Sequence, residues 1–216
     1  MNRDEATLAE LRRAYERGAL LEETVAEDPL VQFEGWFEEA RAGDVLEPNA
    51  MILATVNELG RPDARTVLLK DVSDGGFVFY TNYNSRKGRE LADSPHVCLV
   101  FLWASLERQV RIEGRAERVS AAESDAYYAS RPRGSRLGAW ASDQSEPVAS
   151  REIMERTLTE VEARYLDKPV PRPPHWGGYR VIPEEMEFWQ GRPNRLHDRL
   201  CFQRKDGVWE RRRLQP

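Results

Sequence analysis

The chain has 216 residues, a hydrophobic fraction of 40% and a formal net charge of −5. That length is enough for one large domain or two small ones with a substantial core. An acidic chain of mixed charge is not typical of a dedicated nucleic-acid binder, which is normally basic. A local basic pocket on an acidic body would suit a small anionic ligand.

Neither a secretory signal pattern nor an apolar run of membrane-spanning length is present. The two cysteines, Cys98 and Cys201, lie far apart in apolar runs. We therefore expect buried thiols in a reducing compartment, without a disulfide or a metal pair. The sequence predicts a cytoplasmic protein that does not bind membranes or nucleic acid.

Two helices are predicted before residue 50. Residues 4–16 have an amphipathic pattern that ends before Gly18. A second helix begins at Asp28-Pro29, because proline is favoured in the first helical turn. Phe33 lies on its apolar face.

From residue 50 the pattern changes to short strands separated by turns. The predicted strands cover residues 51–56, 65–70, 77–81, 96–103, 108–119, 179–182, 185–189, 199–204 and 208–214. Further helices are predicted over residues 84–91, 121–130 and 150–165. This order favours a mainly β (α+β) fold, an antiparallel barrel with flanking helices.

A basic cluster follows Trp189. Arg195, His197 and Arg199 are spaced two residues apart, so on a strand they would point to one face. Cations crowded on one face repel each other unless an anion lies between them, and Arg also stacks on aromatic rings. The cluster predicts a site for a phosphate attached to a flat ring. The alternative is a solvated basic strand.

A second group of cations lies earlier in the chain. Arg86 and Lys87 follow the expected helix cap, Ser85 or Asn84, where positive charge opposes the helix dipole and a phosphate would remove the conflict. Arg65 and Lys70 bracket an apolar strand. The alternative for these two is an ordinary surface position with the charged end in water.

A third set combines Tyr127, Arg131 and Ser135. The first two are four residues apart on a predicted helix and can reach one anion, while Ser135 follows in a turn. An ordinary surface pair is the alternative. Two separate anion sites predict two phosphate-bearing molecules, a cofactor and a substrate. Since no motif for nucleophilic or metal catalysis is present, we expect redox chemistry on an organic cofactor.

Short motifs run in order along the chain. They are Arg65-Thr-Val-Leu-Leu-Lys70, Phe79-Tyr-Thr-Asn82, Ser85-Arg-Lys87, Leu106-Glu-Arg-Gln-Val110, Ser130-Arg-Pro-Arg133, Gly138-Ala-Trp140 with Gln144-Ser145, Trp176-Gly-Gly178, Phe188-Trp-Gln-Gly191 and Arg195-Leu-His-Asp-Arg199. In this order they resemble the pyridoxine (pyridoxamine) 5′-phosphate oxidase family, which uses flavin mononucleotide (FMN). The resemblance extends from about residue 12 to residue 216.

The resemblance implies an FMN-binding split β-barrel and a homodimer with FMN at the subunit interface. Residues 1–20 would form a mobile N-terminal lid, and residues 21–216 one domain that includes the C-terminal dimerisation strands. The implied reaction converts pyridoxine 5′-phosphate and pyridoxamine 5′-phosphate to pyridoxal 5′-phosphate. Oxygen is the electron acceptor and hydrogen peroxide is released.

The resemblance also implies roles for individual residues. The expected FMN contacts are Arg65, Thr66, Val67, Leu68, Leu69, Lys70, Tyr80, Thr81, Arg86, Lys87, Gln109, Gln144, Ser145, Trp189 and Arg199. The expected substrate contacts are Arg12, Arg13, Tyr15, Lys70, Tyr127, Arg131, Ser135, Arg195 and His197. Arg195 and His197 are the expected catalytic residues, and Trp189 and Arg199 would complete the site of the other subunit. No metal is implied.

Two other functions remain open at this point. Another flavin split-barrel protein, such as a reductase, would share the flavin contacts but has no reason to keep the whole substrate set together, which is Tyr127, Arg131, Ser135, Arg195 and His197. A non-catalytic carrier of flavin or pyridoxal phosphate would keep all of them, because binding and catalytic residues coincide. Turnover in air separates a carrier from an enzyme.

Overall fold

The computed structural model describes residues 14–43 and 45–216. Its helices are α1 (Pro29–Ala42), α2 (Arg86–Asp93), α3 (Ala121–Ser130), α4 (Arg133–Ala141) and α5 (Arg151–Arg164). Its strands are β1 (Ala50–Val56), β2 (Pro62–Leu68), β3 (Asp71–Ser73), β4 (Gly76–Asn82), β5 (His96–Trp103), β6 (Arg108–Arg118), β7 (Trp176–Gln190), β8 (Asp198–Lys205) and β9 (Val208–Arg213).

The strands belong to one sheet in the order β2-β1-β5-β6-β7-β4-β3, and β8 pairs with both β7 and β9. The pairs β1–β2, β1–β5, β3–β4, β4–β7, β7–β8 and β8–β9 are antiparallel. The prediction of a mainly β fold with flanking helices is confirmed.

Several elements follow from local sequence as predicted. Helix α1 begins after Asp28, whose side chain accepts a hydrogen bond from the Leu30 N–H. Helix α2 begins after Ser85, whose Oγ accepts from the Gly88 N–H at 3.3 Å. In β6 the side chains alternate between buried and more exposed positions, as the period of two requires.

Other elements differ from the prediction. Strand β2 begins three residues early at Pro62 and ends at Leu68, so Lys70 lies outside it. Helix α4 was missed, because Pro132 and two glycines in its sequence resemble a turn. Strand β3 was missed because it has three residues. Strand β7 is continuous where two strands were predicted, since Pro183 interrupts the pattern but not the strand.

The first predicted helix falls mostly outside the described residues. Its last part is described, and Tyr15 and Glu16 are irregular there, so the helix does not reach Glu16 as predicted. The Glu16 and Arg17 N–H groups donate to the Glu107 side chain at 2.8 and 3.0 Å. These bonds replace the helical ones.

The backbone divides into two compact units. The first consists of Met1–Pro48, Phe101–Arg111 and Glu185–Pro216. Its core is aromatic: Phe33 packs on Phe101 with ring centroids 5.0 Å apart, and Trp36 packs edge-on to Phe188 at 5.4 Å.

The second unit consists of Asn49–Val100 and Ile112–Glu184. Leu53, Leu99 and Ile112 are fully buried in it, and the rings of Phe79 and Tyr179 stack at 5.7 Å. A smaller apolar cluster of Leu137, Val161 and Val170 joins α4 to α5.

The two cysteines are free thiols. Cys201 is buried, as predicted, and burial raises its pKa to about 11. Cys98 is only half-buried, so the expectation of a buried thiol is wrong there. Over residues 14–43 and 45–216, no helix is long and apolar enough to cross a membrane.

Candidate functional site

The second unit contains a pocket of about 730 Å³. Many of the predicted contact residues line it together: Arg65, Thr66, Val67, Leu68, Lys70, Tyr80, Thr81, Lys87, Tyr127, Arg131, Ser135 and Gln144. Residues of both predicted sets, the one for the cofactor and the one for the substrate phosphate, therefore open into one cavity.

Lys87 brings a buried positive charge to this pocket. Burial, followed by the nearby charge of Arg65, lowers the pKa of its ammonium group. Ser85, which caps the same helix, is fully buried. An anion in the pocket would favour the charged form of Lys87.

A network of carboxylates surrounds the neighbouring guanidinium groups. Arg65 donates from Nη2 to Asp63 at 2.7 Å and to Glu90 at 2.9 Å. Arg86 contacts the same two carboxylates through Nε, at 2.9 and 3.0 Å. Part of the charge conflict at the start of α2 is therefore met by the protein itself.

Glu90 is the central acceptor of this network, because its side chain is only 6% exposed and also accepts from the Thr55 hydroxyl at 2.6 Å. Burial alone would raise the pKa of Glu90, but the bonds from Thr55, Arg86 and Arg65 outweigh it and lower the pKa. Glu90 is not among the residues predicted from the sequence. Its position four residues after Arg86 in a helix is the signal that was available.

Arg131 lies at the end of α3, which stops at Ser130, so the prediction that it shares the helix with Tyr127 is wrong. Its guanidinium carbon lies 4.6 Å from the centroid of the Trp176 ring. Its Nη1 atom is buried and has no hydrogen-bond partner among the described residues. Burial lowers the pKa of Arg131. A buried donor without a partner indicates a site for an anion.

Three nearly parallel rings lie beside this guanidinium group. Tyr80 lies on Tyr127 with centroids 3.9 Å apart, and both rings are nearly parallel to Trp176. Burial, with a smaller effect from Glu123, raises the pKa of Tyr80 to about 12. The stack provides a rigid aromatic wall for the pocket.

Some lining residues were not predicted as contacts: Asn82, Pro132, Gly138, Ala139, Ser142 and Trp176. Gly138 and Ala139 belong to the missed helix α4. Trp176 lies opposite Asn82 in the β4–β7 pairing, at the beginning of a Trp-Gly-Gly motif. That motif was a usable signal, since a buried indole beside two glycines indicates close packing.

Three predicted cofactor contacts in the second unit do not line the pocket. Leu69 is buried in the core, and its N–H donates to the Asn49 carbonyl at 2.8 Å. Arg86 is bound by its carboxylate neighbours. Ser145 is exposed in a left-handed backbone conformation with φ 76°.

The C-terminal basic cluster lies in the first unit, and its predicted geometry is wrong. Arg195 ends a short 3₁₀ turn with φ 61°, and β8 begins only at Asp198. Arg199 is therefore the one member of the three that lies on a strand. Arg195 is exposed, and His197 is half-buried.

His197 is held by a backbone hydrogen bond and by two aromatic rings. Its Nδ1 accepts a hydrogen bond from the Arg192 N–H at 3.1 Å, so in the neutral ring the proton lies on Nε2. Its ring lies 4.7 Å from that of Trp189 and 5.6 Å from that of Tyr15. Tyr15 also packs edge-on to Trp189 at 5.7 Å. The predicted substrate residues Arg12 and Arg13 lie outside the described residues.

Arg199 is fixed by a bidentate pair with Glu187, at 2.8 and 2.9 Å. This bond is also the main cause that raises the pKa of Arg199. Arg199 lies directly opposite Trp189 in the β7–β8 pairing. Gln109 is half-buried in β6 of the same unit.

Comparison with known sequences identifies the family. Residues 37–165 match the family model described as pyridoxamine 5′-phosphate oxidase. The chain belongs to this family. Residues 176–216 match the pyridoxine 5′-phosphate oxidase C-terminal dimerisation region, which indicates that the protein forms oligomers.

Whole-length relatives agree with this assignment. The pyridoxine/pyridoxamine 5′-phosphate oxidase of Rubrobacter xylanophilus is 61% identical over 97% of this chain and 96% of its own length. That of Thermosynechococcus vestitus is 62% identical over 97% of this chain and 99% of its own length. The protein is an oxidoreductase of the pyridoxamine-phosphate oxidase type, a pyridoxal 5′-phosphate synthase.

Solved structures show the same fold. PhzG of Burkholderia lata, solved with tetrahydrophenazine-1-carboxylic acid, has a TM-score of 0.86 and 32% identity over 92% of this chain and 98% of its own. A pyridoxamine 5′-phosphate oxidase-related, FMN-binding protein of Nostoc punctiforme has a TM-score of 0.70 and 17% identity over 88% of this chain and 98% of its own. The predicted flavin-binding split barrel is confirmed.

Proposed function

We propose that this oxidase converts pyridoxine 5′-phosphate and pyridoxamine 5′-phosphate to pyridoxal 5′-phosphate, with FMN as cofactor and oxygen as electron acceptor. Hydrogen peroxide is the second product, and with the amine substrate water hydrolyses the resulting imine and ammonia is released. The observation that carries the proposal is the pocket of about 730 Å³ into which two separate groups of cations open. One group suits the phosphate of a cofactor, and the other that of a substrate.

The residues of the pocket fit FMN. Arg65 and Lys87 supply positive charge, and Lys87 is buried at a cost that a phosphate would offset. The β2 residues Arg65–Leu68 and the β4 residues Tyr80 and Thr81 would contact the rest of the cofactor. Thr81 donates to the Gln144 side chain at 3.2 Å, which orients that amide at the pocket wall. When bound, FMN would supply the acceptor for the hydride and a route for the electrons to oxygen.

The substrate phosphate would lie against Arg131. Its unpartnered, buried Nη1 atom has a donor ready for an oxygen anion. Lys70, Tyr127 and Ser135 line the same pocket and would complete the cradle. Binding energy gained at the phosphate, remote from the reacting carbon, would orient that carbon for reaction.

Arg195 and His197 are proposed to contact the pyridine ring. In the neutral imidazole the acceptor Nδ1 is engaged by Arg192, so Nε2 can donate a hydrogen bond to a ring substituent. Arg195 would lie against the substrate ring and favour the charge distribution of the transition state. Tyr15, already packed on His197, belongs to the proposed lid with Arg12 and Arg13.

We also propose a homodimer with FMN at the subunit interface. In this arrangement Gln109, Trp189 and Arg199 serve as further cofactor contacts, and Trp189 and Arg199 complete the site of the other subunit. The bidentate bond from Glu187 would hold Arg199 in a fixed orientation. Leu69, Arg86 and Ser145 stay predicted contacts of the same site. Residues 1–20 would act as the lid and residues 21–216 as one domain, in a cytoplasmic protein.

Turnover in air tests this function. Purified protein with added FMN is mixed with each substrate, and pyridoxal 5′-phosphate and hydrogen peroxide are measured together. Equal amounts of both products support the proposal. Binding without turnover would favour a carrier, and flavin reduction by a nicotinamide cofactor without use of either vitamer would favour another split-barrel reductase.

A further inference from the structure

We infer that Trp176 is a positioning residue for the phosphate end of the substrate, acting through Arg131 and Tyr127. This inference rests on the proposed function. It gives a role to the Trp-Gly-Gly motif, to which no binding role was assigned from the sequence.

The indole of Trp176 lies where it can align both residues. It is 7% exposed and belongs to the pocket wall. Its ring is within 4° of parallel to Tyr127 at 6.2 Å, and within 9° of parallel to Tyr80 at 5.5 Å. Tyr128 packs against its edge at 5.2 Å. Removing the indole would leave Tyr127 with one parallel ring neighbour, Tyr80, in place of two.

The same indole holds the Arg131 guanidinium group. The cation lies 4.6 Å from the Trp176 ring and 5.6 Å from that of Tyr128. Within residues 14–43 and 45–216, Arg131 has no ion pair, whereas Arg65 has two carboxylates. An aromatic face can orient a cation without neutralising it. Arg131 therefore keeps its full charge for an incoming phosphate.

The motif fixes the indole by its backbone. The Trp176 N–H donates to the Pro173 carbonyl at 3.1 Å, and the Trp176 carbonyl accepts from Arg172 at 2.6 Å. At Gly178 an added Cβ would lie 2.8 Å from the ring of Tyr80. A side chain at Gly178 would push Tyr80 from the stack, so the glycine gives the ring room to lie parallel to Trp176.

The test compares two ligands that differ only in the phosphate. Pyridoxal 5′-phosphate and pyridoxal are titrated into the FMN-loaded wild-type protein, Trp176→Phe and Trp176→Leu, with affinities measured by calorimetry. We expect Trp176→Leu to bind pyridoxal 5′-phosphate about tenfold more weakly than wild type, because one good cation–ring contact is lost. Its affinity for pyridoxal should change by less than about threefold, and Trp176→Phe, which keeps a ring, should stay close to wild type for both.

A matched control is Trp140→Leu. Trp140 is also an indole of the second unit, but it packs on Tyr165 and does not line the pocket. The Trp140→Leu substitution should lower thermal stability and leave the ratio of the affinities for pyridoxal 5′-phosphate and pyridoxal unchanged. If Trp176→Leu weakens both ligands equally, or neither, the inference is wrong. If the wild-type protein itself does not prefer the phosphorylated ligand, the proposed function is wrong.

Discussion

The Nη2 atom of Arg65 lies 2.9 Å from the carboxylate of Glu90, which is almost completely buried. Arg65 is a proposed cofactor contact, but the protein already gives it two acidic partners. Arg86 shares those partners. Lys87 and Arg131 differ, since neither forms an ion pair with any described residue. The pocket thus contains two kinds of cation: Arg65 is held by carboxylates, whereas Lys87 and Arg131 are left for a ligand.

Glu90→Gln should destabilise the protein at neutral pH by about 2 kcal/mol, because charged hydrogen bonds from two arginines are weakened. The folded-state pKa of Glu90 is lowered, so its contribution is present above the ordinary carboxyl range and is lost as the pH falls through the lowered value. The difference from wild type should therefore shrink below about pH 4. Urea denaturation at pH 7 and pH 3 measures it.

Glu146→Gln is the control for Glu90. Glu146 pairs with Arg89, but both side chains are about half exposed. Glu146→Gln should therefore lower the free energy of unfolding by less than about 1 kcal/mol at either pH. An equal loss for Glu90→Gln at both pH values would contradict the buried ion-pair network.

Lys87 should make FMN affinity depend on pH. Its pKa is lowered by burial and by Arg65, and a bound phosphate would raise it again. FMN affinity should fall as the pH rises through the lowered value, and Lys87→Arg should remove this fall because Arg stays charged. Lys87→Gln should bind FMN about tenfold more weakly at pH 7. Flavin fluorescence titration of the apoprotein gives each affinity, and a flat profile for the wild type would refute this role.

Arg131→Lys should separate substrate from cofactor binding. Lysine keeps the charge but loses the planar fork and the stacking on Trp176, so kcat/KM for both phosphorylated substrates should fall by about tenfold or more. FMN affinity should stay within about twofold of wild type. Steady-state kinetics and flavin titration measure the two effects, and an equal loss of FMN affinity would place Arg131 in the cofactor site.

Gly191→Ala should loosen the segment around Tyr15. A Cβ at Gly191 would lie 2.7 Å from Cγ of Tyr15 and would force this side chain away from Trp189 and His197. We expect faster hydrogen exchange over residues 15–20 and a severalfold higher KM, with FMN still bound. Gly35→Ala is the control, since its Cβ meets nothing within 4 Å and alanine favours the helix. Unchanged exchange in Gly191→Ala would show that Tyr15 does not depend on this glycine.

Local sequence patterns predicted most of the helices and strands of this protein. The start of α1 was predicted from Pro29 in its first turn and that of α2 from a short polar cap, and the period of two located β6. Helix α4 was missed since it is stabilised by packing of Leu137 on Val161 and Val170, and not by its own glycine-containing sequence.

Only part of the candidate site could be predicted from the sequence, because some of its contacts depend on packing between distant segments. Spacing correctly grouped Tyr127, Arg131 and Ser135, although Arg131 reaches the pocket from beyond the helix end. The contacts of Glu90 with Arg65 and of Trp176 with Arg131 join residues far apart in sequence. The prediction that Arg195 and His197 lie on a strand is wrong. Two consecutive residues with positive φ, Asn194 and Arg195, turn the chain before β8.

The most direct test of the central claim is one anaerobic addition of pyridoxine 5′-phosphate to the FMN-loaded protein, with the visible flavin absorbance recorded before and after air is admitted. The account predicts bleaching on addition, recovery in air, and the appearance of pyridoxal 5′-phosphate in an amount equal to the flavin reduced. A flavin band that stays unchanged in the presence of excess substrate would contradict the proposed reaction.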